Sequence, residues 1–354
     1  MEVVCNGVDA AEWDAFVERQ PRARFSHLSA YACVEKTYGY RPHYLAFRKA
    51  GRIVAVLPAF EARSYLFGRK LVSQPFSEYG GLLLDETLNG DDAAAIIDLL
   101  ERHLRDNALP TLEMHGPGSL DRDIRQRRLL QANEQLCAYL VLDRPMETLW
   151  EKAFNRHVRK AVNKARREGL DVVERCDQDI ILDRFFPLYL DSTARLGVPP
   201  HPARYFLDCL EAFGPRMKIF WALKDGKFLA GLLGFACGRR VAITNTVSDP
   251  DSWILRPNDL VHHDFIAWSV ANGYGFFDFG SARYGGQQQY KKKWGCETED
   301  DSYYFLRPEG AAQRVATFNS SSSGMALMSK IWARTMPRPA ARLLGPHIRR
   351  HLVR

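Results

Sequence analysis

The chain reads as a mixed α/β protein of the α+β kind, in which one domain occurs twice in tandem and a basic helical tail follows. Three observations predict this. The 354 residues are 46% hydrophobic and 26% charged, an ordinary globular composition at a length suited to two domains. A hairpin pattern occurs twice, as YLAFRKAGRIVAVL at 44–57 and FWALKDGKFLAGL at 220–232. The elements around the two copies also recur in one order, helices before the hairpin and a longer helix and short strand after it.

Each copy of the hairpin has two apolar runs flanking a glycine turn edged by Lys or Arg, a strong hairpin signal. Ala46 pairs with Ala222, Arg52 with Lys227, Ala55 with Ala230 and Leu57 with Leu232, which places one extra residue in the first turn. Helical patterns precede the hairpins at 10–19 and 29–38, and again at 178–195 and 202–213. Amphipathic helices follow at 91–107 (DDAAAIIDLLERHLRDN) and 257–272 (PNDLVHHDFIAWSVAN). Acidic residues open the first and Pro257 the second, both favourable helix starts. Each leads to a short strand, TLEM at 111–114 or FFDF at 276–279. The strand CAYLVL at 137–142 precedes a boundary near Pro145, so the domains are expected at 1–145 and 146–308. Residues 308–323 read as a linker. Residues 309–354 as a whole form linker and tail, with helical stretches broken at Pro337, Pro339 and Pro346.

The net charge is +7, yet residues 311–354 alone hold eight Arg or Lys and no acid, which leaves −1 for the remainder. A nearly neutral body argues against DNA as a partner. No apolar run is long enough to span a bilayer, and the amino terminus lacks the order of a signal peptide, so a cytoplasmic location is expected. The seven cysteines are scattered without a CxxC pair, which suggests buried free thiols rather than disulfides or zinc. His262, His263 and Asp264 sit together on one helix, but adjacent side chains point about 100° apart and HExxH is absent, so no metal site is read there.

Two constellations carry chemistry. In the helix at 147–168, Phe154, Val158, Ala161, Val162 and Ala165 form an apolar stripe. Arg156, Arg159, Lys160, Lys164, Arg166 and Arg167 cover the other side. Like charges four residues apart cost a few tenths of a kcal/mol each. An anionic ligand would offset that cost, and a solvated basic face is the plain alternative. The second constellation is FFDFGSARYGGQQQYKKKWG at 276–295: a strand carrying Asp278, a glycine loop, then Tyr290, Lys291, Lys292, Lys293 and Trp294. Such a strand end with cations can cradle phosphate, although GxxxxGK[ST] is absent.

FDFGSARYGGQQQYKKKWG resembles the FDFG and Y-x-x-K-x-x-WG signature of the FemAB family. LFGRKLVSQPFSEYGGLLLDE (66–86), FNRHVRKAVNKARREGL, VPPHPARYF (198–206) and WARTMPRPAARLLGPHIRRHL extend the likeness over most of the chain, toward the exosortase (PEP-CTERM)-associated branch linked to exopolysaccharide production. The resemblance implies two tandem GNAT-like acyltransferase domains. It also implies transfer of an acyl or aminoacyl group to an amine or hydroxyl of a cell-envelope saccharide or peptide precursor. The donor implied is acyl-CoA or aminoacyl-tRNA, with no tightly bound cofactor and no metal. The pyrophosphate loop [RQ]-x-x-G-x-[GA] of ordinary GNAT enzymes is missing from both halves, and SAR replaces the usual RSK after FDFG.

Direct attack of the acceptor on the donor carbonyl then needs positioning, oxyanion stabilisation and a base. Lys291, Lys292, Lys293 and Arg283 are assigned to phosphate or oxyanion stabilisation and Asp278 to the base. Arg156, Arg159, Lys160, His201, Asn245, Asn258, Tyr290 and Trp294 are assigned to substrate binding. The basic amphipathic segment 324–354 suits peripheral contact with an anionic membrane at its inner face. A non-catalytic scaffold of the same fold in polysaccharide export is the competing reading.

Overall fold

Two turns with the same backbone set the architecture. Ala50 and Gly51 (φ 50° and 77°) close the first hairpin, and Asp225 and Gly226 (φ 50° and 74°) close the second. Two consecutive positive φ values make a type I′ turn, whose twist matches that of the flanking strands. The computed structural model describes residues 1–65, 68–77, 79–115, 128–133, 135–282, 285–308 and 323–352. The chain divides into two compact units, the first around Met1–Leu136 and the second around Cys137–Glu299.

In the first unit the strands are β1 (Glu2–Cys5), β2 (Arg41–Lys49), β3 (Arg52–Ser64), β4 (Gly68–Ser73), β5 (Leu83–Leu84), β6 (Leu112–His115) and β7 (Leu130–Asn133). In the second they are β8 (Leu136–Val141), β9 (Asp171–Glu174), β10 (Met217–Lys224), β11 (Lys227–Cys237), β12 (Arg240–Ser248), β13 (Phe276–Ser281) and β14 (Glu297–Asp300). β15 (Tyr303–Leu306) follows, and it belongs to the first sheet. That sheet runs β1-β2-β3-β4-β6-β15-β7, with β5 paired to β3, and the second runs β9-β10-β11-β12-β13-β8-β14. The orders match position for position. The sixth place in each is taken by a strand from the sequence stretch that follows the other sheet's edge strand: β8 follows β7, and β15 follows β14.

The match extends to register. Both hairpins bulge on the second strand, where Phe47 faces Ala55 and Ala222 faces Ala230. The offset is a constant 175 (222 − 47 and 230 − 55). Leu45, Phe47, Ala55 and Leu57 lie in one core, and their counterparts Phe220, Ala222, Ala230 and Leu232 lie in the other. The extra residue expected in the first turn is therefore absent. Ala222 corresponds to Phe47, and the sequence pairing of Ala46 with Ala222 is one place out of step.

One helix covers the core face of each sheet, amphipathic in the first unit and buried on nearly all sides in the second. In the first unit this is Gly90–Asp106, capped by the Asn89 side chain on Asp92 N (2.9 Å), with Ile96, Ile97, Leu100 and Leu104 buried. In the second it is Pro257–Ala271, which buries Leu260, Val261, Phe265 and Ile266; this is called the core helix below. The basic pattern at 147–168 is not one helix. A short helical stretch ends at Ala153, and Asn155 caps a new helix, Arg156–Arg167, by accepting from His157 N (3.0 Å) and Val158 N (3.1 Å).

The expected linker lies outside the described residues except for its ends, Pro308 and Ser323. The tail forms helices Ser323–Thr335 and Arg338–Arg349. The chain breaks near Pro337, but Pro346 lies inside the second helix instead of ending it. That helix is held from outside its own backbone. Arg338 pairs with Asp191 (2.6 Å), Arg349 donates to Pro199 O (2.8 Å), and Gly345 packs so closely on Pro200 that a Cβ would lie 2.4 Å from its Cδ. No helix among the described residues is long and apolar enough to cross a membrane.

Candidate active site

In the second sheet β12 and β13 run parallel, but they pair only from Arg240–Phe276 to Ala242–Asp278. Beyond that they part. β12 bulges between Ile243 and Asn245, so Thr244 has no cross-strand partner in either register. Thr244 and Asn245 are half-buried and Thr246 is exposed. The Thr244 hydroxyl is buried without a hydrogen-bond partner, and so is the Asn258 amide oxygen. On the other limb, Gly280 takes φ 77°, which favours glycine.

The end of β13 is held by a lysine. The segment expected to be a glycine loop is a helix from Gly285 to Lys292. Lys291 is its buried residue, and its Nζ donates to Gly280 O (2.7 Å) and Ser281 O (2.6 Å). A buried ammonium with carbonyl acceptors satisfies both partners, since a strand end that leaves its ladder needs donors from elsewhere. The run of three lysines is thereby resolved. Lys291 fastens the fork, whereas Lys292 and Lys293 are exposed. The Lys293 carbonyl also accepts from Asn155 N (2.8 Å), tying this segment to the cap of the basic helix.

The first turns of the core helix face the same limb. His262 donates from Nδ1 to Asn258 O (2.7 Å), which leaves Nε2 with its lone pair. Its ring stacks on Phe279 (5.7 Å) and meets Tyr290 (5.9 Å) and Trp294 (5.8 Å). Burial pushes His262 down to about 4, so the ring is neutral at pH 7. Asp259, one helical turn earlier, is half-buried, and desolvation raises its carboxyl above the ordinary range while the Arg256 and Lys293 cations draw it back. The Tyr290 hydroxyl is raised by burial and by the Asp259 charge. Asn258 Nδ2 donates to Ser248 Oγ (3.3 Å).

Of the residues singled out from sequence, Lys291, Tyr290, Trp294 and Asn258 gather around the fork, and Asn245 lies on its bulged limb. Trp294 is fully buried against Phe154 (5.1 Å) and is a core residue. Asp278 is 1% exposed and pairs with Arg240 (3.0 Å), whose guanidinium lies 4.1 Å from the Phe276 ring. Its counterpart in the first unit is Glu113, which pairs with Lys70 at 2.5 Å. The same buried ion pair at the same place in both sheets marks Asp278 as part of the scaffold. Arg283 lies outside the described residues.

Arg159 is spent on the carbonyls of Trp150 (3.0 Å) and Glu151 (2.7 Å), and Arg156 is exposed. Lys160, Asn163, Arg166 and Arg167 line an open depression of about 450 Å³. Lys164, Arg166 and Arg167 occupy the last turn, where the helix dipole favours cations, so part of the basic face has a local cause. His201 is buried, stacks on Tyr205 (4.1 Å) and is driven well down by burial and by Arg349. It belongs to the packing beneath the tail, away from the fork residues. Asp259 was not singled out from sequence, and His262 was considered only as a metal ligand and set aside. Their signal was the Pro257 helix start, which places both on the first two turns just after β12.

Residues 152–292 match the family model described as an acetyltransferase (GNAT) domain, and this stretch holds the fork, the core helix and the lysine helix. Among solved structures, the chain is similar to FemX, with 15% identity, a TM-score of 0.72, and coverage of 87% of this chain and 97% of that one. It is similar to the C-terminal domain of a putative lysylphosphatidylglycerol synthetase from Agrobacterium fabrum (15% identity, TM-score 0.53, 91% and 94% covered). It is also similar to a tandem GNAT protein from the clavulanic acid biosynthesis pathway (11%, 0.51, 86% and 98%). The fold is thus two tandem GNAT-like domains. No curated protein matches the chain by sequence.

Proposed function

We propose that the second unit is an acyl- or aminoacyltransferase whose reaction centre is the fork between β12 and β13. The observation that carries this is the bulge at Thr244 opposite the Lys291-fastened end of β13, with Asp259 and His262 at its side. The donor carbonyl lies against the bulge, past the point where β12 and β13 stop pairing, so that a backbone N–H of β12 polarises its oxygen. The acceptor amine or hydroxyl attacks the carbonyl carbon. The new C–N or C–O bond forms, the acceptor proton passes to Asp259, and the bond to the carrier breaks with its electron pair, leaving a CoA thiolate or a ribose oxygen that takes a proton back from Asp259 or water. A carboxyl raised by burial suits that task better than one locked in an ion pair. Lys292 and Lys293 meet the phosphates of the carrier, which is acyl-CoA or aminoacyl-tRNA.

The acceptor is a saccharide or peptide of a cell-envelope precursor. This rests on the resemblance to the FemAB family, with the likeness in fold to FemX and to a lysylphosphatidylglycerol synthetase domain as support. Contact with an anionic membrane surface fits the tail. Arg338–Arg349 buries Ala341 and Gly345 and turns Leu343 (70%) and Leu344 (50%) outward.

The test pairs binding with turnover. Acyl-CoAs, charged tRNA and UDP-sugars are screened by thermal shift, since a true ligand stabilises the folded state. Acyl transfer is then followed with the donor that binds. Asp259→Asn is expected to lower kcat by about 10²- to 10⁴-fold with donor affinity intact. Joint replacement of Lys292 and Lys293 by Ala is expected to weaken donor binding. If no donor class binds, or neither change has an effect, the fork is not a transfer site and the scaffold reading takes its place.

A further inference from the structure

The geometry points to a transition-metal site of the zinc class in the first unit, formed by Cys5, His43 and His103. Cys5 ends β1, His43 lies on β2, and His103 is in the last turn of Gly90–Asp106. Cys5 pairs with Leu45 across the ladder, so Cys5, Leu45 and His43 all project to the sheet face that this helix covers. One ligand atom from each of Cys5, His43 and His103 lies within 4.8 Å of the others. His43 Nδ1 and His103 Nε2 are 2.9 Å apart. Two nitrogens bound to one tetrahedral zinc at about 2.0–2.1 Å stand about 3.3 Å apart. A shift of about half an ångström therefore turns a shared hydrogen bond into shared coordination.

The donor set and its surroundings fit such an ion. Two imidazoles and a thiolate suit zinc and its neighbours, and a hard oxygen-seeking cation would not choose them. The outer nitrogen of His43 faces a carboxylate, the kind of acceptor a ligating histidine uses. His43 Nε2 is buried without a hydrogen bond and lies 3.8 Å from Glu61 Oε2. Glu61 pairs with Arg69 (2.7 Å) and Arg63 (3.0 Å) and faces the His43 ring. His43 is buried and His103 half-buried, and an imidazole in its neutral form offers one lone pair to a metal. Burial raises the Cys5 thiol and the Arg41 cation draws it back only in part, so a metal bound there displaces the thiol proton. Cys5 is exposed, unlike the buried thiols expected from sequence, so the fourth position opens to water. The three residues come from positions 5, 43 and 103, too far apart for any spacing motif to reveal them. The site is independent of the proposed transfer chemistry, which lies in the other unit.

The test uses the untagged, reduced full chain. Zn²⁺ is titrated against a chelating dye, and Co²⁺ serves as a spectroscopic probe. The expected result is one zinc per chain, and a cobalt spectrum with tetrahedral ligand-field bands and a thiolate-to-metal charge-transfer band. Cys5→Ser and His103→Gln should each weaken zinc at least tenfold, and Cys5→Ser should also remove the charge-transfer band. Both positions reach the surface, and circular dichroism confirms folding. Cys176→Ser, in the second unit, should leave affinity unchanged. Less than one zinc per chain, wild-type affinity in either ligand variant, or a cobalt spectrum without the thiolate band overturns the site.

Discussion

The two units share a sheet order, a bulged hairpin and a buried ion pair, and they part company at one position. Counting from those ion pairs, Lys70 corresponds to Arg240 and Glu113 to Asp278, so Gln74 corresponds to Thr244 and His115 to Gly280. At Gln74 the first chain turns away with φ 40°. The segment that follows is fastened over the strand ends. Gln74 Oε1 accepts from Gly81 N (2.7 Å), and the His115 ring bridges Ser77 O (3.1 Å) and Asp301 (3.1 Å). At Thr244 the strand of the second unit bulges and continues, and Gly280 puts no side chain where His115 stands. One scaffold thus yields a fork filled by its own chain and a fork without that filling, the one proposed above as the reaction centre.

The largest expected effect tests whether the ion pairs are equivalent. Removing one partner of a buried pair strands the other charge, which costs about 3–5 kcal/mol. Glu113→Ala and Asp278→Ala should therefore destabilise the protein by similar amounts, read as denaturant midpoints. Asp278→Asn should cost stability as well. Near-normal stability with abolished transfer in Asp278→Asn would break the comparison and restore Asp278 as the base. Lys291→Met comes next. It leaves the carbonyls of Gly280 and Ser281 without their charged donor, at about 1.5–3 kcal/mol. Hydrogen exchange should rise at the end of β13 and leave β6 unaffected.

Acid should weaken both units over one pH window. Burial drives His27 in the first unit to about 3 and His262 in the second to about 4. The unfolded chain binds these protons near pH 6.5 and the folded chain does not. Stability is therefore full above about pH 6.5 and falls as pH drops toward 4, by up to about 1.4 kcal/mol per pH unit for each group. His27→Gln and His262→Gln should each flatten the urea midpoint between pH 6.5 and 4.5. An unchanged slope in both would mean these rings are protonated in the fold.

Much of the scaffold was legible in the sequence because its causes are local. The apolar period of 91–107 and 257–272, the glycine turns and the caps act within a few residues, and the observed helices at Gly90–Asp106 and Pro257–Ala271 lie within a residue of that reading. The hairpin pairing slipped by one place because the turns show in sequence and the bulges do not. The site was less legible because its roles depend on distant partners. Asp278 carries the look of a strand-end base until Arg240 is found beside it. Three consecutive lysines look alike until one turns inward to two carbonyls. Asp259 draws its raised carboxyl from burial, which no spacing reports, and His115 becomes a bridge only because Ser77 and Asp301 meet it.

The smallest expected effect is the one that most directly probes the open fork. Gly280 takes φ 77°, where a side chain costs about 1–2 kcal/mol, yet a Cβ there would meet nothing nearer than Ile243 O at 3.9 Å. Gly280→Ala should thus lose about 1 kcal/mol from backbone strain alone, leave the sheet intact and spare donor binding. Gly280→His pays the same strain but projects an imidazole where the first unit has His115. If the forks are equivalent, that ring occupies the space between β12 and β13 and blocks the donor, while stability stays close to that of Gly280→Ala. Equal donor affinity in the alanine and histidine variants would mean that the donor binds elsewhere, and that the difference between the forks has another cause.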